Sequence, residues 1–140
     1  MIEKFFADTN IVLYTIGRDI YKLETARKII STKPLISVQV INESVNVCLR
    51  KLAFTKEKAY FFADNIMRRT IVVSVDESTV RKSAEIAIKY QTSNWDALII
   101  AAAILSDCNI LYSEDLQHGQ KFEDKLTPIP SLNKIGLYQN

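Results

Sequence analysis

Four acidic residues stand where the hydrophobic pattern of the chain changes. Asp8 directly follows the apolar run KFFA, and Asp115 comes shortly after the apolar run ILY. Asp96 lies at the head of the apolar stretch NWDALIIAAAILSD, directly after the only tryptophan of the chain. Glu43 lies in the first two turns of a helix predicted to follow the run LIS. These carboxylates are far apart in the sequence, so only the fold can combine them into one site.

Carboxylates that converge on one concave edge repel each other, and each resists losing its proton unless a cation is present. Such a group offers only hard oxygen ligands, which suit Mg²⁺ or Mn²⁺ and not zinc. Magnesium held by a few carboxylates and several waters commonly acts on phosphates, where it activates a water and neutralises charge on phosphate oxygens. The reaction class predicted for such a site is therefore phosphodiester hydrolysis.

The elements that would position these acids follow from an alternation of short apolar runs and stretches of helical spacing. Strands separated by helices indicate a parallel sheet that is covered by helices on its faces. Pro128 favours an edge position for the last strand, because proline cannot donate to the hydrogen-bond ladder. The predicted strands are 4–7, 35–37, 71–75, 110–112 and 126–129, and the predicted helices lie near 11–17, 20–31, 39–52, 56–69, 77–90 and within 94–107.

Ligands of open parallel sheets bind outside the carboxyl ends of the strands. Asp8 and Asp115 both follow strands, so they are expected at this same edge. The helix that carries Asp96 is apolar all round, which predicts burial on more than one side. Because it leads into the strand at 110–112, its first turn should lie at the carboxyl edge. The helix of Glu43 begins at that edge as well, and Glu43 shares an apolar face of it.

Each acid also has a purely structural explanation. Asp8 could cap the helix that follows it, and Asp115 could cap a short turn. Asp96 could interact favourably with the dipole of its own helix, and Glu43 could pair with a lysine on a neighbouring helix. Thr9, Asn10 and Ser113 either orient water and metal ligands around the acids or only cap and turn the chain. Glu114 precedes Asp115, and neighbouring residues of an extended strand end point different ways.

Composition limits the other possibilities. The chain has 140 residues and a formal net charge of +2, which suits one domain over residues 1–140 and allows an acidic partner without requiring one. Neither a membrane span nor a signal peptide is predicted, so a cytoplasmic location without membrane contact is expected. Cys48 and Cys108 lack metal-ligand spacing and are expected to be buried, reduced thiols. His118 is the only histidine and lies in a polar stretch, so we expect a surface side chain there.

With the acids in view, the sequence resembles the PIN-domain ribonucleases and, more narrowly, the VapC-type toxins of bacterial toxin–antitoxin pairs. The resemblance extends along the whole chain in the order and spacing of the family. Its most specific part joins the segments WDALIIAAA and LYSEDLQHG. The segments that carry it are FFADTNIVLY at 5–14, ISVQVINES at 36–44, SNWDALIIAAAI at 93–104 and NILYSEDLQHGQ at 109–120.

The resemblance implies a three-layer α/β/α sandwich around a central parallel sheet of about five strands. It implies that Asp8, Glu43, Asp96 and Asp115 form an acidic quartet that binds Mg²⁺ or Mn²⁺, with Asp115 preferred to Glu114. It further implies endonucleolytic cleavage of RNA, homodimerisation and inhibition by a cognate antitoxin. DNA would be bound only indirectly, through that antitoxin at its own promoter.

Two other functions remain open at this stage. A non-catalytic RNA-binding or scaffold domain could retain the fold, and it would bind RNA without cleaving it. A phosphotransfer domain of the haloacid-dehalogenase or receiver type is disfavoured, because the segment at Asp8 lacks a second aspartate in a DxD pattern. The helix at 56–69 carries three consecutive aromatic residues that one helix cannot bury together, so Phe54, Tyr60 or Phe61 is expected to contact a subunit or partner.

Overall fold

Five short parallel strands form one sheet in this computed structural model, which describes residues 3–114 and 121–129. All five strands lie where the sequence predicts them, although the first and last begin one residue later and the third ends at Val73 instead of 75. They are β1 Phe5–Ala7, β2 Leu35–Ser37, β3 Ile71–Val73, β4 Ile110–Tyr112 and β5 Thr127–Ile129.

The strand order is β3-β2-β1-β4-β5, with every neighbouring pair parallel. The chain therefore builds outward from β1 through β2 to β3, and then returns to place β4 on the other side of β1. This reversal makes the carboxyl ends of β1 and β4 the topological switch point, where open parallel sheets place their ligand crevice. Strand β5 is an edge strand, as Pro128 predicts.

Each predicted helix is present, with small differences in length. Helix α1 begins at Thr9 and ends at Tyr14, earlier than the predicted end at Gly17, because Asp8 caps its start and a turn follows Tyr14. In that turn the Gly17 backbone N–H donates to the Tyr14 carbonyl at 3.1 Å. The remaining helices are α2 Ile20–Ser31, α3 Val38–Arg50, α4 Lys56–Arg69, α5 Glu77–Tyr90 and α6 Asn94–Leu105.

The helices form two layers. Helix α1 contacts α2 and α3, α3 contacts α4, and α5 contacts α6. Right-handed crossovers place α1 to α4 on one face of the sheet, and the reversal before β4 places α5 and α6 on the other. The result is the expected three-layer α/β/α sandwich. None of the described helices combines the length and the apolar character needed to cross a bilayer.

The core lies between the sheet and these helices. Phe6, Ile36 and Leu111 come from three neighbouring strands and are fully buried, as is Ile100 of α6. Helix α6 buries seven of its residues, which confirms that its all-apolar composition reflects burial on several sides. The three alanines at 101–103 are among them, and their small side chains let the helix approach its neighbours closely.

Both cysteines are buried and free, as predicted. Burial raises the pKa of the Cys48 thiol above its usual value. Burial also raises the pKa of Cys108 to about 11, although the nearby Lys4 opposes this shift. Both side chains are therefore neutral thiols near neutral pH, and they act as small apolar groups of the core.

Residues 121–129 dock onto α5. Phe122 and Leu126 are fully buried, and the rings of Phe122 and Tyr90 meet edge to face at 4.8 Å between centroids. The Tyr90 hydroxyl accepts a hydrogen bond from the Glu123 backbone N–H at 2.7 Å. Lys82 forms an ion pair with the Glu123 carboxylate at 2.7 Å. These contacts hold β5 in place beside β4.

Substitution of Ile100 by alanine should destabilise the fold by about 2–5 kcal/mol, because it removes a fully buried side chain and leaves a cavity. Leu105→Ala, in the same helix but at a side chain 48% exposed, is the matched control and should change stability by about 0.5 kcal/mol or less. Urea denaturation followed by circular dichroism measures both. Equal losses in the two variants would mean that α6 is not the central helix of the core.

Candidate active site

Asp8 stands at the centre of the carboxyl edge of the sheet. Its backbone is extended after β1, and its side chain is only 5% exposed. A carboxylate oxygen accepts a hydrogen bond from the Ile11 backbone N–H at 3.3 Å, so Asp8 is the N-cap of α1. Its own N–H donates to the Tyr112 carbonyl at 3.1 Å. Asp8 is therefore fixed between the ends of β1 and β4, at the switch point.

Glu43 reaches the same edge from α3. Its Oε2 accepts a hydrogen bond from the Thr9 hydroxyl at 3.1 Å, and its Oε1 accepts one from the Gln39 side-chain amide at 2.7 Å. Both donors are neutral, so they orient the half-buried carboxylate without cancelling its charge. The ion pairs found among the described residues do not include Glu43. The lysine partner that would have explained this residue structurally is thus absent from that part of the chain.

Asp96 lies in the first turn of α6. The helix is capped by Ser93, whose hydroxyl accepts a hydrogen bond from the Asp96 backbone N–H at 3.1 Å. The next residue, Ala97, is fully buried, whereas Asp96 itself is half-buried. Because α6 runs antiparallel to the β4 strand that follows it, its N-terminus lies at the carboxyl edge. The positive end of the helix dipole is therefore directed to this edge.

The end of β4 completes the described part of the edge. Ser113 is buried, and its backbone N–H donates to the Ile129 carbonyl at 3.1 Å. Glu114 follows Ser113 and is half-buried. Asp115, the fourth predicted carboxylate, and His118 lie outside the described residues.

The structure links two of the predicted acids most directly. Thr9, the neighbour of Asp8, donates to Glu43, so α1 and α3 are tied together beside the end of β1. Asp96 lies at the same edge on the opposite helical layer. Within residues 3–114 and 121–129, no group of three or more His, Cys, Asp or Glu side chains is arranged to hold a metal ion. The four-carboxylate metal site is thus a prediction.

The chemistry of the available donors fits a hard cation. The predicted ligands at this edge are carboxylates, and the buried hydroxyls of Thr9 and Ser113 stand beside them. Such oxygen donors suit Mg²⁺ or Mn²⁺ better than zinc.

Two further residues that support this edge were not predicted from the sequence. Gln39 orients Glu43 from one helical turn away, a spacing that could have revealed it, and Ser37 caps α3 at the end of β2.

The cap and the proposed chemistry of Asp8 can be separated by mutation. Asp8→Ala removes the acceptor for the Ile11 N–H and should lower the free energy of unfolding by about 0.5–2 kcal/mol. Asp8→Asn keeps an oxygen acceptor and should stay near wild type, because asparagine is an equally good N-cap. Asp19→Ala removes the corresponding exposed cap of α2 and serves as the control. Equal losses in Asp8→Asn and Asp8→Ala would show that the charge of Asp8, and not its cap, stabilises the fold.

The fold and the sequence together define the class of protein. The family model of the PIN domain matches residues 5–121, and the chain belongs to this family. No curated protein matches it by sequence.

Solved structures give a closer likeness in fold. A chain of the DNA-bound VapBC complex from Salmonella typhimurium has a TM-score of 0.70 and 18% identity, and the match covers 92% of this chain and 98% of that one. A chain of VapBC2 from Rickettsia felis, bound to a DNA fragment from its promoter, has a TM-score of 0.66 and 18% identity, with coverage of 91% and 98%. The Sarcin-Ricin loop cleaving toxin VapC20 from Mycobacterium tuberculosis has a TM-score of 0.63 and 19% identity, with coverage of 80% and 90%. At these identities the likeness concerns the fold.

Proposed function

We propose that this chain is a Mg²⁺-dependent endoribonuclease and the toxin of a toxin–antitoxin pair. Membership of the PIN domain family supports a nuclease. The observation that carries the proposal is the position of Asp8 at the switch point of the sheet, with Glu43 fastened beside it through Thr9. We propose further that residues 1–140 form a single domain, that it acts in the cytoplasm, and that it is a homodimer.

Asp8, Glu43, Asp96 and Asp115 are the residues that would hold Mg²⁺ or Mn²⁺. When bound, a cation of this kind activates a water for in-line attack on a phosphodiester and neutralises charge on its oxygens. Asp8 contributes a carboxylate whose position is fixed by the backbone of two strands. Thr9 and Gln39 orient Glu43. Asp96 is a ligand or orients the attacking water, and the N-terminus of α6 provides favourable potential for a phosphate.

The assay that tests this function compares cleavage of cellular RNA by the wild-type chain and its variants. Asp8→Asn, Glu43→Gln and Asp96→Asn should each abolish cleavage and growth arrest, and EDTA should abolish cleavage by the wild type.

Thr9→Val should lower the cleavage rate by about tenfold to a hundredfold, because it removes the hydroxyl that orients Glu43. Thr9→Ser, which keeps the hydroxyl, should restore most of it.

Asp19→Asn is the matched control, since Asp19 caps α2 as Asp8 caps α1 but is exposed and is not one of the proposed metal ligands; its activity should equal wild type. Sequencing of RNA ends produced in cells, with Asp96→Asn as the reference, identifies the RNA and its cleavage sites. RNA binding without cleavage, together with equal activity in EDTA and buffer, would favour the non-catalytic RNA-binding domain instead.

The proposed antitoxin contact lies away from the acidic edge, which is the carboxyl edge of the sheet with Asp8, Glu43 and Asp96. A groove of about 760 Å³ runs between the end of α1, α2 and α4. Its floor includes Ile16, Ile30 and Ile66, and four cations surround it: Arg27, Lys33, Arg68 and Arg69. Phe61 lines the groove and is 71% exposed.

An acidic protein segment with apolar side chains matches this groove in charge and in hydrophobicity. Several structural relatives are toxin–antitoxin complexes, including one from Klebsiella pneumoniae, which supports an antitoxin as the partner; DNA would be reached only through it.

Phe61→Ser should weaken inhibition by the cognate antitoxin, because it removes an exposed apolar contact from the proposed groove. The measurement is growth of cells that co-express the antitoxin with either the wild-type toxin or the variant. We expect the antitoxin to protect cells from the wild type and to protect them less from Phe61→Ser. Full protection against the variant would place the antitoxin contact elsewhere on the toxin.

A further inference from the structure

Helix α5 carries a row of exposed apolar side chains on the side opposite its buried residues, Thr79 and Ile86. Val80 and Ile88 are 54% and 74% exposed, and Ile88 is the most exposed large apolar side chain in the described part of the chain. Ala84 lies between them at four-residue spacing and is exposed as well. Because residues four apart are neighbours on a helix surface, the three form one continuous row, which we call the α5 row.

A line of alternating charges runs beside the α5 row. Its members follow each other at four-residue spacing and are Glu77, Arg81, Glu85 and Lys89. Arg81 forms an ion pair with Glu77 of the same helix at 2.8 Å, and both side chains are highly exposed. Pairs of this kind support a helix on its own and so account for the charges. They do not account for the exposed apolar side chains of Val80 and Ile88 next to them.

The order of the charges makes this face of α5 complementary to itself. Two copies of the helix can lie antiparallel with Arg81 of one copy level with Glu85 of the other. Glu77 and Lys89 are then level too, because both pairs are centred on position 83. A twofold axis repeats each pairing, so every acid of the line faces a base. In a parallel pair related by a twofold axis each residue is level with its own copy, and no acid is level with a base.

The same register interlocks the two α5 rows. Val80 is level with position 86 of the second copy, which is midway between Ala84 and Ile88. It therefore differs in height from each of them by two residues, or about 3 Å. The small side chain of Ala84 lets the two helices approach closely. An unrelated protein would need its own matching charges and apolar groups, whereas a second copy of this chain carries both by symmetry.

We propose that α5 is a homodimer interface in which two copies pack antiparallel, with their α5 rows interlocked and Arg81 of each copy paired with Glu85 of the other. This inference rests on the homodimer of the proposed function and identifies its contact surface and register. Helix α5 has 14 residues and is about 21 Å long. One such helix pair is smaller than a standard interface, so association should be reversible and depend on protein concentration.

Charge reversal tests the pairing, because each half of it can be reversed in a separate variant. Arg81→Glu sets acid against acid across the interface, and Glu85→Arg sets base against base. Each variant alone should raise the Kd of the dimer by about tenfold or more, since like charges that face each other are costly. An equimolar mixture of the two variants should associate with nearly wild-type affinity, because every acid then faces a base again. Sedimentation velocity of the full chain over a range of concentrations measures these constants.

Arg68→Glu is the matched control. Arg68 forms an ion pair with Asp64 across one turn of α4 at 2.9 Å, as Arg81 does with Glu77 on α5, but it lines the basic groove. The Kd of its dimer should equal wild type. Circular dichroism should show wild-type helix content in every variant, which separates loss of association from loss of fold.

The outcomes separate this inference from the proposed function. A wild-type dimer whose Kd is unchanged by both reversals would place the contact elsewhere and refute the inference alone. Failure of the mixed variants to associate would refute the antiparallel register. A wild-type chain that stays monomeric would refute both the homodimer and this interface, and loss of association in Arg68→Glu would assign the contact to the groove. RNA cleavage is measured separately, so the nuclease can fail without affecting these results.

Discussion

The structure depends on the hydrogen bond that joins the ends of β1 and β4. The Asp8 N–H donates to the Tyr112 carbonyl, so the residue after the central strand is paired to the strand that the chain adds after reversing direction. Every other feature of the acidic edge is arranged around this point. Helix α1 starts there, α3 is fastened to it through Thr9 and Glu43, and α6 must begin at this edge because it leads into β4. A parallel sheet with this strand order leaves a crevice between β1 and β4.

The structural and catalytic explanations of the acids are compatible. Asp8 caps α1, as the structural explanation predicted, and the same bond limits the freedom of its carboxylate. Glu43 is held by the neutral donors Thr9 and Gln39, so its orientation is set while its charge remains available. A carboxylate held by a lysine would have been oriented equally well, but its charge would have been compensated. The contacts that orient Glu43 therefore leave its negative charge in place, as the proposed divalent cation would require.

The sequence predicted the elements well because their patterns are local. The six helices and five strands of the described residues follow from helical spacing and short apolar runs, and the all-apolar composition of α6 correctly predicted its burial. The early end of α1 was missed, since Gly17 is a strong signal for a helix end but the chain already turns after Tyr14. The strand order cannot be obtained from local patterns, because it depends on which strand pairs with β1 after the reversal. The hydrogen bond between Thr9 and Glu43 joins residues that are 34 positions apart in the sequence. The sequence therefore identified both residues as candidates for the site but could not predict that they bond to each other.

The distance between the two proposed surfaces constrains the length of the proposed antitoxin segment. Lys33 and Arg69 immediately precede the β2 and β3 region, so the basic groove lies toward the amino edge of the sheet. The strands are only three residues long, which separates the two edges of the sheet by about 10 Å. Helices of 12 to 14 residues extend further, to about 20 Å. An extended segment advances about 3.3 Å per residue, so about six residues suffice to connect the groove with the acidic edge. A segment whose acidic part fills the groove would therefore need a basic side chain about six residues further on to cover the carboxylates, because like charges repel, whereas a partner confined to the groove would leave the acids accessible.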